Sequence, residues 1–196
     1  LNSIYGLVFE NPRDAGEMVL RLSEFCRSAL TDVTDELPTL EAEISALSIY
    51  LDVEQVRWGK KLVIEIDLEP AVARIRLPQF LLLPLVENAI KYGGRTTPGV
   101  LRLRIRAFNA ESRYPAAEGK VTPPLVIEIA NTGEWLPPQA SSADSTGIGL
   151  ENLRQRLQRY YPDTHEFTTT ARDGWVIVRL RLERALSAWR AHEPLP

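Results

Sequence analysis

Only one cysteine, Cys26, occurs in 196 residues, so no internal disulfide can form and the chain suits a reducing compartment. Long apolar runs are missing too: "FLLLPLV" at 80–86 falls far short of the roughly 18 residues that a membrane span requires. Nor is there an excess of positive charge. Lys and Arg number 23 against 26 Asp and Glu, and a net charge of −3 argues against a nucleic-acid partner, whose phosphates demand a basic surface. Repeats and low-complexity stretches are absent. With neither an initiator Met nor a signal peptide at its start, the chain reads as part of something longer. What remains is an ordinary globular composition, 44% hydrophobic, able to bury a core of one domain plus a smaller helical element.

Periodicity divides the chain near Gly59 into a helical segment, 1–58, a strand-rich domain, 59–186, and a tail, 187–196. In 10–33, Val19, Leu22, Cys26, Ala29 and Val33 recur at helical spacing behind Asn11 as N-cap and Pro12 at the first helical position. A second helix is expected over 39–58, with Thr39 as cap, Glu41 and Glu43 near its positive end, and Leu40, Ile44, Leu47 and Leu51 as its seam. Such a hairpin fits two arrangements, packing on its own domain or forming half of a four-helix dimer bundle. Beyond Gly59, strands are expected at 62–68, 100–108, 124–131, 166–171 and 175–182, the last two paired across "RDG". Helices are expected at 77–93 and 147–161. Strands in hairpins with interspersed helices predict an α+β fold, a two-layer α/β sandwich with a mixed sheet preceded by an α-helical hairpin. The Pro- and Gly-containing stretch 109–124 reads as a loop.

Three stretches carry candidate chemistry. In "LVENAIKYGG", Glu87, Asn88 and Lys91 interrupt an apolar helix that the two glycines are expected to end; an amide oxygen suits Mg²⁺ and a lysine suits phosphates, although Glu87 and Lys91 also fit a surface pair. In "STGIGLENLRQRL", Gly147 and Gly149 precede an amphipathic helix whose N-terminal N–H groups can approach an anion, or they mark a plain loop-to-helix turn. In "IEIANTGEWLPP", a strand stops at Asn131-Thr132-Gly133, where Asn131 can hydrogen-bond a purine edge or simply shape a turn.

Taken together, these stretches resemble the N-box and two glycine boxes of the GHKL (Bergerat) ATP-binding domains, and more narrowly the catalytic region of LytS/AlgZ-type sensor histidine kinases. "YLDVEQVRWGKKLVIEIDL" resembles that family's helix-to-strand entry, and "LNSI" resembles the tail of the segment that bears its phospho-accepting histidine. The resemblance implies ATP and Mg²⁺ as ligands, Asn88 on the metal, and Lys91 and Tyr92 beside the phosphates. It further implies Thr146, Gly147, Gly149 and Leu150 as the phosphate cradle, and Asn131 with Gly133 at adenine, 134–146 forming a lid. Asn131 stands where the family has Asp, Glu134-Trp135 replace the second glycine of the first box, and Ser145 replaces the first glycine of the second. Neither His165 nor His192 lies on a candidate dimer helix. The implied activity is histidine phosphorylation upstream of this segment, a response regulator being the next acceptor, in a homodimer whose cytoplasmic domain hangs from an inner membrane. Two alternatives stand beside it: a GHKL ATPase, which would need an acid where Pro84 is, and a non-catalytic regulatory or dimerisation module.

Overall fold

The computed structural model describes residues 37–110, 123–136 and 148–183, together with helical residues 8–9, 12–13, 15–16 and 19–20. Most of the expected first helix, most of the 109–124 loop, most of the lid and His192 therefore lie outside the described residues. In chain order the elements are α1 (Leu40–Trp58), β1 (Leu62–Leu68), α2 (Leu83–Thr96), β2 (Leu101–Asn109), β3 (Leu125–Thr132), α3 (Ile148–Tyr160), β4 (His165–Arg172) and β5 (Trp175–Leu182). Among the described residues, no helix is long and apolar enough to cross a membrane.

The strands form one mixed sheet in the order β1-β2-β3-β5-β4. β1 and β2 run parallel, Leu62 opposite Leu101, because α2 occupies the crossover between them. All other pairs are antiparallel. The β4–β5 turn has positive φ at both Asp173 (53°) and Gly174 (73°), the backbone that a two-residue Asp-Gly hairpin requires. One face of the sheet, carrying Leu103, Ile105, Ile127, Ile129 and Leu180, is buried beneath the helices. The opposite face is charged: Arg179 of β5 grips Glu128 of β3 at 2.7 and 2.9 Å, and the Arg104 guanidinium lies 4.7 Å from the Trp175 ring centre. The α+β two-layer sandwich expected from the strand pattern is the observed fold.

Helix α1 starts as expected, the Thr39 hydroxyl accepting the Ala42 N–H at 3.2 Å. Its seam of Leu40, Ile44, Leu47 and Leu51 joins the same core as the sheet. Glu43, in the first turn as expected, is only 4% exposed, and its two carboxylate oxygens accept the N–H groups of Phe80 (2.9 Å) and Leu82 (3.0 Å). Spaced three from Leu40 and four from Leu47, it belongs to the buried stripe.

Helix α2 also departs from its expected span of 77–93. It begins only at Leu83, with Pro84 in the first turn where a missing N–H is harmless, since Phe80 takes a left-handed φ of 55° and breaks any earlier helix. It then continues through both glycines to Thr96. Gly93 and Gly94 are packing notches here, not terminators: a Cβ on Gly93 would lie 2.7 Å from Asn131 Nδ2 and from Leu101 Cδ1, and one on Gly94 would overlap the Trp58 ring.

Two outcomes follow from this packing. Gly94→Ala gains about 1 kcal/mol of helix propensity but forces an overpacking cost of about 1–3 kcal/mol, so urea titration should show a net loss of stability. The second concerns pH. Burial raises the Glu43 carboxyl above its ordinary 4.5, opposed by the backbone N–H groups of residues 80–82 and by the Arg156 charge. A folded pKa above the unfolded one makes this residue's contribution to stability largest below pH 4.5, and that contribution fades as pH rises through the folded value. Denaturant midpoints measured from pH 4 to 8 should accordingly vary less in Glu43→Gln than in the parent.

Candidate functional site

The candidate residues lie on two elements that meet where α2 packs on the sheet. On α2 the buried positions are Leu85, Val86, Ala89, Ile90 and Gly93, which leaves Asn88, Lys91 and Tyr92 half-buried along the margin of the packed face. Lys91 Nζ stands 5.6 Å from the centre of the Tyr92 ring. Glu87 reaches solvent, yet partial desolvation, and after it the nearby Glu54 carboxylate, raise its pKa above the ordinary carboxylate value. Glu54 itself is 7% exposed and is held by the Trp58 indole N–H (3.1 Å) and by Arg57 (3.1 Å).

The second element is the end of β3. Strand alternation carries Leu125, Ile127 and Ile129 to the helix side, and Asn131, only 6% exposed, continues that row as its one polar member. Its Nδ2 donates to the Thr132 carbonyl at 2.8 Å. A carbonyl can only accept, so this contact fixes the amide's orientation and leaves Oδ1 as the outward group. Among the described residues nothing donates to that Oδ1. That Oδ1 keeps its capacity to accept from a ligand, and an exocyclic amine is a suitable donor.

The turn after β3 is stapled to the last turn of α2. Thr97 Oγ1 donates to the Thr132 carbonyl at 2.6 Å, while Thr96 Oγ1 donates to the Tyr92 carbonyl (3.0 Å) and accepts the Glu134 N–H (3.1 Å). Gly133 has φ 121° and sits against both threonines, a Cβ there overlapping Thr96 Oγ1 and lying 3.0 Å from Thr97 Oγ1. The Gly133 N–H donates to the Gly174 carbonyl at 2.9 Å, tying the turn to the β4–β5 hairpin as well.

The third expected element is met only in part. Helix α3 begins at Ile148, which places Gly149 inside its first turn instead of before it, and Leu150 packs on the core ahead of the buried Leu153 and Leu157. Thr146, Gly147 and Ser145 lie outside the described residues. α3 touches α2, so the two helices lie on the same side of the sheet. His165 opens β4 with its Nδ1 donating to the Tyr161 carbonyl at 2.7 Å, a structural anchor.

The structure thus brings Asn131, Gly133 and the α2 residues Gly93 and Thr96 into contact. Sequence reasoning missed Thr96, Thr97, Glu43 and Arg156, and it misread the glycines. Only Glu43 had a legible signal, its place in the apolar stripe of α1. The donor set suits a magnesium nucleotide: an amide oxygen on Asn88 for a hard cation, an ammonium on Lys91 for phosphates, and the outward Asn131 Oδ1 for a base amine.

A family model described as Histidine kinase matches residues 1–62. The chain is 38% identical over 191 residues to the sensor histidine kinase/phosphatase LytS of Staphylococcus aureus (strain MRSA252), covering 91% of this chain and 31% of that protein. It is 29% identical over 184 residues to the sensor histidine kinase BtsS of Escherichia coli (strain K12), covering 93% and 30%. Over 166 residues it is 29% identical to the sensor protein LytS of Staphylococcus saprophyticus, covering 80% and 26%. The chain therefore spans less than a third of the length of these relatives. Its fold matches the nucleotide-free catalytic domain of histidine kinase ThkA, with TM-score 0.52 at 16% identity over 75% of this chain and 93% of that one. It also matches the blue-light activated histidine kinase EL346 of Erythrobacter litoralis, with TM-score 0.53 at 14% identity over 89% and 55%.

Gly133→Ala tests the stapled turn. Its backbone strain alone costs on the order of 1–3 kcal/mol, and the Thr96 and Thr97 hydroxyls must also give way. A lowered denaturant midpoint with faster amide exchange at Gly133 and Glu134 is the expected result.

Proposed function

We propose that this chain, which belongs to the LytS-type sensor histidine kinases, is the nucleotide-binding catalytic segment of such a kinase. In this reading it binds Mg-ATP and presents the γ-phosphoryl group to a histidine upstream of the segment, whence it passes to a response regulator. The observation that carries the reading is Asn131, whose Nδ2 is held by the Thr132 carbonyl so that its Oδ1 can accept from a ligand, set across the Gly93 notch from the helix that bears Asn88 and Lys91. The identity to named sensor histidine kinases supports it.

Asn131 accepts from the exocyclic amine of adenine, its amide held by Thr132. Asn88 offers its carbonyl oxygen to the metal, and Lys91 places a point charge beside the phosphate oxygens, with Tyr92 adjoining. Gly149 and Leu150, in the first turn of α3, put peptide N–H groups and the positive end of a helix on the phosphate side, continuing from Thr146 and Gly147. Bound Mg²⁺ neutralises phosphate charge. Phosphoryl transfer needs little covalent help from a protein, so positioning and charge complementarity by these residues are the main contribution. In the full-length protein we place this domain in the cytoplasm, joined to a membrane and to a second copy through other segments.

Hydrolysis is the weaker alternative. Pro84, one turn before Asn88 in the first turn of α2, has no side chain able to take a proton from water.

Calorimetric titration with Mg²⁺ and a non-hydrolysable ATP analogue tests the reading. The parent chain should bind, Asn88→Ala should abolish the gain in affinity due to Mg²⁺, and Lys91→Ala should weaken binding by about tenfold, as expected for a lost charge-assisted contact of ~1.4 kcal/mol. No binding at millimolar nucleotide would replace this reading with a non-catalytic module. Steady ATP turnover that persists in Pro84→Ala and vanishes in Asn88→Ala would favour the ATPase.

A further inference from the structure

Residues 79–82 form a turn that touches three helices and includes none of the residues assigned above to the nucleotide. Leu82 is its joint: its N–H donates to Glu43 of α1 at 3.0 Å, and its carbonyl accepts the N–H groups of Leu85 and Val86 at 3.1 Å each, starting the α2 ladder. α2 has no capping side chain of its own at this end. Phe80, strained at φ 55°, is held by the other Glu43 oxygen at 2.9 Å. From α3, the Arg156 guanidinium donates to the Gln79 carbonyl at 2.5 Å. The stretch that leads into α1 is bound to the same connection: Leu40 N–H donates to the Ile75 carbonyl (2.7 Å), Leu77 N–H to the Pro38 carbonyl (2.9 Å), and Arg76 to the Leu37 carbonyl (2.8 Å).

We infer that Glu43 and Arg156 are positioning residues for the nucleotide site, holding the 79–82 turn from two different helices and so setting where Asn88 and Lys91 stand relative to the first turn of α3. The inference rests on the nucleotide reading above. Asn88 lies six residues beyond Leu82 on a helix whose first carbonyl is anchored there, so a shift of that peptide moves the metal-binding amide directly. Asn131 is positioned separately, by Thr132 and the sheet. The two halves of the pocket are thereby supported by different contacts, and removing one support should affect one half of the ligand.

Glu43→Gln keeps the side chain's size but replaces two acceptors with one acceptor and one donor, and Arg156→Ala removes the clamp on Gln79. Each variant, together with the pair, is titrated with the non-hydrolysable ATP analogue in the presence and absence of Mg²⁺, alongside amide exchange of the nucleotide-free chain. The expected result is a severalfold to about tenfold loss of the affinity gained from Mg²⁺, with Mg-free binding unchanged, for the loss of one or two hydrogen bonds that hold the turn. The double variant should lose less than the product of the single losses, because both residues act on one turn. Exchange at Phe80 and Leu82 should quicken in Glu43→Gln, and Arg156→Lys should restore the gain from Mg²⁺. Equal weakening with and without Mg²⁺, or variants that bind like the parent, would overturn the inference alone. A parent chain that fails to bind the analogue would overturn the pocket and the inference with it.

Discussion

The distance between α2 and the sheet is the constraint on which the candidate site depends, and Gly93 sets it. With no side chain there, the helix settles until its backbone meets Asn131 and Leu101; a methyl group would come within 2.7 Å of both. That close approach brings the end of β3 level with the last turn of α2, where the Thr96 and Thr97 hydroxyls can bind the Thr132–Glu134 backbone. The same descent presses Gly94 against Trp58, whose indole N–H is taken by Glu54. One missing side chain thus aligns a helix, a strand end and the C-terminus of α1.

Polar groups are placed inside this apolar contact under strict conditions. A buried carboxylate is costly unless donors surround it, and Glu43 finds two backbone N–H groups within 3.0 Å. Asn131 has its Nδ2 satisfied by the Thr132 carbonyl and, among the described residues, no donor on its Oδ1. The contrast separates a side chain whose oxygens are both satisfied within the fold from one that keeps an acceptor to offer. On the far face of the sheet, by comparison, Glu128 and Arg179 neutralise each other in place.

Much of the fold was legible beforehand. Alternation in "LVIEIDL" and "WVIVRLRL" placed β1 and β5 to the residue, and Asp173-Gly174 specified the hairpin between β4 and β5. Thr39 capped α1 as its chemistry demands. The start of α2 was placed too early because "LPQFLLLPLV" is apolar enough to continue any element, and nothing local announced the left-handed Phe80. The stretches holding Asn88, Asn131 and Gly149 could be picked out from residue types and spacing, whereas their mutual arrangement could not.

What the sequence determined by itself was local: which segments alternate, which helices have an apolar stripe, where a two-residue turn must form, and which residue types could meet a phosphate or a base. Those properties depend on neighbours within a few positions. The tertiary structure alone decided that Gly93 and Gly94 are notches in a continuing helix, that Glu43 serves a turn 37 to 39 residues away, and that Thr132 orients Asn131. Each of these depends on an atom brought close only by packing, and glycine, glutamate and asparagine carry no mark in the chain of which atom that will be.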